Sequence, residues 1–166
     1  MSTTAIGIDP GSIVCGYGVL RKDGKSIVYV ASGEIIVPKG RPLPERLKSV
    51  YEGLTKAIDT YRPDEAVVEK IFFASNIKAA LSLGHARGVA LLSASAVDIP
   101  VFEYSPLEVK KALTGYGKAE KSQVMAMIKA ILNIDIVLSP DSSDALALAL
   151  THLNISGLGL YGSTRH

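Results

Sequence analysis

The chain has 166 residues, 48% of them apolar and 20% charged, with a formal net charge of +2. That is enough for one domain to bury a core without staples, and the single cysteine, Cys15, excludes an internal disulfide framework and fits a reducing compartment. A surplus of two positive charges does not announce nucleic acid, so evidence for an anionic partner has to come from where the lysines fall. No basic-then-apolar leader opens the sequence. Residues 145–164 lack Asp, Glu, Lys and Arg, but Thr151, His152, Asn154 and several glycines make them a poor membrane span. A cytoplasmic protein with no membrane partner is therefore expected.

In chain order, residues 4–9, 15–21 and 27–37 read as three strands of an antiparallel meander. Pro44 opens a helix in which Leu47, Val50, Tyr51, Leu54 and Ile58 keep helical spacing until Arg62-Pro63 stops it. The short β-branched run "EAVVEK" predicts a buried strand ending at Glu69. Residues 76–97 predict a long helix, apolar on more than one face, and residues 101–104 a fifth strand. Helices are expected over 106–113, 118–132 and 141–155, followed by a loose glycine-rich tail. Three strands, then alternating helix and strand, then helices imply an α/β fold, a five-stranded mixed sheet with helices on both faces. One domain is expected over residues 1–155, with 156–166 a flexible C-terminal tail.

Four acids stand where such a fold could gather them. Asp9 ends the first strand before Pro10-Gly11-Ser12, where it could close an Asx-turn or present a carboxylate beyond a strand tip. Glu69 ends a buried strand and could face either solvent or a site. In "SPDSSDALALALTH", Ser139 suits an N-cap and Pro140 the first helical position. Asp141 and Asp144 then share one face, where they either offset the macrodipole or point at a ligand. If the two strands are neighbours and the last helix starts above their tips, four carboxylates converge, an arrangement that requires cations. All-oxygen ligation selects Mg²⁺ or Mn²⁺, and two such ions roughly 4 Å apart can activate water and stabilise a leaving oxygen. The three histidines, His85, His152 and His166, are scattered and show no zinc-ligand spacing.

The ordered set "GIDPGS" with "GYGVL", "VVEKIFFASN", "LSLGHARGVALL", "PVFEYSPLEVKKALTGYGKAEKSQV" and "DSSDALALALTH" resembles the RuvC family of Holliday-junction resolvases, with an RNase H-like fold, over nearly all of residues 5–152. The resemblance implies that Asp9, Glu69, Asp141 and Asp144 are catalytic carboxylates that bind Mg²⁺, with Mn²⁺ as a substitute and two ions per subunit when substrate is bound. It also implies a homodimer that makes symmetric paired nicks in four-way junction DNA during recombination and repair. The broad apolar surface of residues 76–97 is the interface candidate, unless that helix is buried in its own subunit. A branch-migration complex, RuvA–RuvB, is a further implied partner, and the protein would associate with the bacterial nucleoid when active.

Lys110, Lys111, Lys118, Lys121 and Lys129 make the later helices locally basic, and Gly115 and Gly117 could offer backbone N–H groups to a phosphate. The resemblance gives Lys121 transition-state charge stabilisation and Lys110 phosphate positioning, with Lys118 a further DNA contact; the alternative is a solvated helix face. Phe72 and Phe73 follow the catalytic strand, and an exposed ring there, Phe72 before Phe73, suits a wedge that unstacks bases at the junction. Lys70 departs from the acid or amide usual after the family's glutamate, and would compete for the carboxylate only if the strand bulged. Two rival readings remain: an RNase H-like nuclease acting on RNA or an RNA–DNA hybrid, and a single-lobed actin-like ATP phosphotransferase suggested by "GIDPGS".

Overall fold

Alternation along the first strand decides how the layers stack. In a computed structural model that describes residues 1–70 and 76–156, β1 (Ser2–Asp9) sends Ile6 and Ile8 to one face of the sheet and Ala5 to the other. Around it lie β2 (Val14–Asp23), β3 (Ser26–Ile36), β4 (Glu65–Glu69) and β5 (Val101–Tyr104), in the order β3-β2-β1-β4-β5. The first three strands form the expected antiparallel meander, while β4 and β5 run parallel to β1. Parallel pairing brings the tips of β1 and β4, Asp9 and Glu69, out at the same end of the sheet.

Each face has its own core. Ile6, Ile8, Val19 and Val68 pack under α1 (Leu43–Tyr61) and α2 (Ile77–Ser95). Ala5, Leu20, Val67 and Tyr104 pack under α3 (Pro106–Thr114), α4 (Lys121–Leu132) and α5 (Pro140–Ser156). The five-stranded mixed sheet with helices on both faces is the architecture expected from the sequence. Among the described residues no helix is long and apolar enough to cross a membrane.

One helix boundary corrects the sequence reading. The helix expected from residue 118 begins at Lys121, because the side chain of Gln123 accepts the backbone N–H of Glu120 at 2.9 Å and fixes Glu120 as the cap. Lys118 therefore lies in the preceding turn. The reading of α5 holds at its start: Ser139 Oγ accepts the N–H of Ser142 at 3.2 Å, and Pro140 is the first helical residue.

The seat of α5 is made by glycine. Gly7 and Gly18 face each other across the β1–β2 ladder, and Gly16 lies opposite Asp9. A Cβ on Gly7 would stand 1.9 Å from the carbonyl oxygen of Ala145, and one on Gly16 would stand 2.2 Å from that of Asp141. The helix backbone thus rests almost directly on the sheet backbone. Lower down α5, the buried His152 fastens the helix: Nδ1 is 2.9 Å from the Tyr104 hydroxyl, Nε2 is 2.8 Å from Glu65 Oε2, and the ring lies 4.3 Å from that of Phe102.

Because the clashing atoms at Gly7 and Gly16 are backbone, neither site can accept a methyl group by a rotamer change. We expect Gly7→Ala and Gly16→Ala each to destabilise the fold by about 1–3 kcal/mol, the range for overpacking. Thermal denaturation checks this, and an unchanged melting temperature for Gly7→Ala would contradict the close seating of α5.

Candidate active site

Asp9 and Glu69 are delivered by strand tips, and Asp141 and Asp144 by the first turns of α5 as it sits on the glycine row. The four acids line one cleft of about 300 Å³, together with Lys110, Lys121, Pro106, Val109, Val124, Ala147 and Leu148. A larger hollow of about 430 Å³ is lined only by α1 residues, among them Tyr51, Thr55 and Asp59, and gathers no comparable set of convergent groups. The acids and the two lysines gather in the smaller cleft.

Burial and mutual repulsion set the electrostatics there. Loss of hydration first, and then the negative charges of Asp144, Glu69 and Asp141, push Asp9 up to about 7, with Lys121 opposing. Glu69 is raised by burial and then by Asp144, and Asp141 by burial and then by Glu34. Lys121 Nζ sits 2.6 Å from Asp144 Oδ2, and this hydrogen bond is the main cause that raises the lysine above its ordinary range. With that side chain 75% exposed, the pair adds little to stability. One lysine does not neutralise the cluster, since Asp9 remains strongly raised in its presence.

The donor set fits a hard divalent cation. It is all oxygen, with neither histidine nor cysteine in the lining. Among the described residues no three His, Cys, Asp or Glu side chains stand close enough together to hold a metal ion by themselves. The acids surround a space, which suits an ion that keeps waters and takes oxygens from substrate. Cys15, the lone thiol, is buried and pushed up to about 12 by lost hydration, so it offers no nucleophile.

The other sequence-predicted residues divide. Lys110 and Lys121 reach the cleft, whereas Lys118 is exposed in the turn before α4 and is not part of its lining. The N–H of Gly115 is occupied by the carbonyl of Lys111 at 3.0 Å, closing α3 in a left-handed cap at φ 83°, so it is not available to a phosphate. The pairing of β4 shows no bulge at its tip, and the N–H of Lys70 donates to the Tyr104 carbonyl at 2.8 Å. Phe72 and Phe73 lie outside the described residues, as do positions 157–166 of the tail.

Two features were missed in the sequence. Glu34 is a fifth acid, in the same cross-strand row as Asp9 and Gly16, and its charge helps raise Asp141. Counting back from the β2–β3 turn would set it opposite Cys15, but a register shift at Val19/Leu20 sets it opposite Gly16. The second is a polar tie behind the β1 tip: Arg46 donates to Ser12 Oγ at 3.0 Å, and Ser12 Oγ lies 3.1 Å from Ser82 Oγ on α2. It anchors the turn that follows Asp9.

A family model described as crossover junction endodeoxyribonuclease RuvC matches residues 5–152. The chain is 48% identical over 153 residues to the crossover junction endodeoxyribonuclease RuvC of Geotalea uraniireducens, covering 92% of this chain and 90% of the relative. It is 46% identical over 151 residues to that of Citrobacter koseri, covering 91% and 87%. In structure it is similar to Thermus thermophilus RuvC in complex with a Holliday junction substrate, with a TM-score of 0.89 and 31% identity over 95% of this chain and 96% of that one. A yeast mitochondrial Holliday junction resolvase shares the fold at a TM-score of 0.66 and 14% identity.

The raised Asp9 has a thermodynamic consequence. Its folded-state value lies above its unfolded one, so its contribution to stability is full below about pH 4 and is lost as pH rises through about 7. In metal-free protein we expect Asp9→Asn to raise the melting temperature by a few degrees at about pH 8, and by less at about pH 5. Calorimetry in a chelator checks this; a variant less stable than the parent at the higher pH would contradict it.

Proposed function

The chain belongs to the RuvC family of crossover junction endodeoxyribonucleases, and from that premise we propose that the acidic cleft at the tips of β1 and β4 is where it cuts four-way DNA junctions. The protein is a Holliday-junction resolvase, a hydrolase acting on DNA in recombination and repair, and its family is one of metal-dependent nucleases. The observation that carries the assignment of the site is the convergence of four carboxylates and two lysines on one cleft. A nuclease acting on RNA is not favoured by any feature of the cleft. A single-lobed actin-like phosphotransferase would lack the second lobe that closes over ATP in that superfamily, and the described residues form one sheet.

Asp9, Glu69, Asp141 and Asp144 would hold the divalent ions. Mg²⁺, or Mn²⁺ in its place, about two per subunit with DNA present, would supply an activated water and charge on the leaving oxygen. The strands give Asp9 and Glu69 stiff mounts, and the seat of α5 fixes the two helical acids against them. Lys121 stands at the cleft with most of its side chain in water, so its ammonium can turn from Asp144 to a scissile phosphate and meet developing negative charge. Lys110, half-buried in the lining, would position the same phosphate. Lys118 would touch DNA outside the cleft, and Phe72 or Phe73 would act as the wedge at the junction centre.

A two-fold junction calls for two cleavage sites related by symmetry, which one isologous dimer supplies. The surface of α2 suits that interface. Ile77, Leu81, Gly84, Gly88 and Leu92 fall on one stripe of the helix, with the three large residues 81%, 59% and 58% exposed. Gly84 and Gly88 have nothing within 4 Å of a would-be Cβ, although a helix-interior glycine costs about 1 kcal/mol relative to alanine. A second copy approaching closely along this stripe accounts for both features. Docking of RuvA–RuvB rests on family membership alone.

Purified protein offered mobile four-way junctions, plain duplex, RNA–DNA hybrid and single strands should give paired, ligatable nicks in the junction only, dependent on Mg²⁺ and independent of ATP. Asp9→Asn should bind the junction but cleave at least roughly a hundredfold more slowly. Cleavage at the parental rate would remove Asp9 from the active site. Leu81→Glu should shift the protein from dimer to monomer in light scattering and abolish paired nicking, and a dimer that persists would rule out the α2 interface.

A further inference from the structure

We propose that Arg87 is a positioning residue for Glu69, gripping the tip of β4 from the face of the sheet opposite the cleft; this rests on reading Glu69 as a catalytic carboxylate. The β1–β4 ladder has its last registered pair at Ile8 and Val68, and the residue after Asp9 is Pro10, which has no N–H to give the carbonyl of Glu69. On its other side the pairing with β5 ends at Glu69 and Tyr104, followed by the bond from the Lys70 N–H to the Tyr104 carbonyl. The carboxylate is thus mounted on the last residue of a strand, where the pairing with both neighbours runs out. A metal ligand needs to be fixed to within a fraction of an ångström.

Arg87 supplies a donor for the Glu69 carbonyl. It projects from the middle of α2, the helix packed on the face that carries Ile8 and Val68. Its Nε donates to the backbone carbonyl of Glu69 at 3.3 Å, and its guanidinium forms an ion pair with Glu103 of β5, the residue opposite Val68. Both side chains are about three-quarters buried. One rigid fork therefore ties the β4 tip to β5 and to α2 together. The grip is on the backbone of Glu69, and the charges that bear on its carboxyl group are those of Asp144 and Lys121. Arg87 accordingly acts by fixing where the carboxylate stands, and Glu103 aims the guanidinium.

The test compares Arg87→Lys, Glu103→Gln and Glu69→Gln with the parent, in full-length protein. Lysine keeps the charge and can pair with Glu103, but a single ammonium cannot reproduce the fork. We expect Arg87→Lys to melt near the parent and to bind a four-way junction in Ca²⁺ within about twofold of it. Its single-turnover cleavage should be roughly tenfold to a hundredfold slower, with the Mg²⁺ midpoint moved upward and part of the rate recovered at high Mg²⁺. Glu103→Gln should show the same pattern more weakly. A parental rate and Mg²⁺ midpoint in Arg87→Lys, beside an inactive Glu69→Gln, would overturn the inference and leave the active site standing. So would melting temperature and rate falling in step with the Mg²⁺ midpoint fixed. Normal cleavage by Glu69→Gln would instead overturn the site itself.

Discussion

An α-helix is ordinarily held off a β-sheet by the side chains between them; where those side chains are hydrogen atoms, the two backbones meet. At Gly7 and Gly16 the gap to the carbonyls of Ala145 and Asp141 is too small for a methyl group. That contact sets the height of α5 above the sheet, and with it the distance from Asp141 and Asp144 to the tips that carry Asp9 and Glu69. Raise the helix by the thickness of one methyl layer and the acids no longer share a cleft. The buried set of His152, Tyr104, Glu65 and Phe102 fixes the same helix farther along, so its tilt as well as its height is determined.

Holding like charges together works against folding. Burial and neighbouring charge raise Asp9, Glu69 and Asp141 alike, and the Lys121–Asp144 pair offsets only part of this. A protein selected for stability alone would have lost one of these carboxylates; retaining all of them is the pattern of a site kept for function. The remainder of the fold compensates by rigidity. Each acid is mounted on a strand end or a capped helix start, and the elements behind them are cross-tied through Ser12, Arg46, Ser82 and Arg87.

Much of this was legible in the sequence, and the limits are physical. Alternation and helical spacing carry the ten elements, because burial on one face imposes a period that the residues display. "SPDSSD" showed its own helix start, since capping is local. The four acids that line the cleft could be singled out because Asp9 and Glu69 end apolar strand runs and Asp141 and Asp144 share one face of a helix start. Glu34 was not, because a register shift several residues away decides what it faces, and such a shift leaves no local mark in this hairpin. The roles of Gly7 and Gly16 were equally hidden: a glycine in a strand signals close approach by something, and only the tertiary fold says by what. Lys118 was placed in a helix because propensity alone does not show that Gln123 caps Glu120. The exposure of the α2 stripe could not be told from deep burial by composition, since both call for apolar residues.

The central claim is that the fold assembles one all-oxygen site for divalent ions between the β1 and β4 tips and the start of α5. The most direct measurement is anomalous X-ray diffraction from crystals containing Mn²⁺ and a junction with a non-cleavable scissile linkage. The account predicts anomalous peaks within coordination distance of the carboxylates of Asp9 and Glu69 and of at least one of Asp141 and Asp144, beside the scissile phosphate. Peaks only elsewhere on the protein, or a scissile phosphate seated away from this cleft, would contradict it.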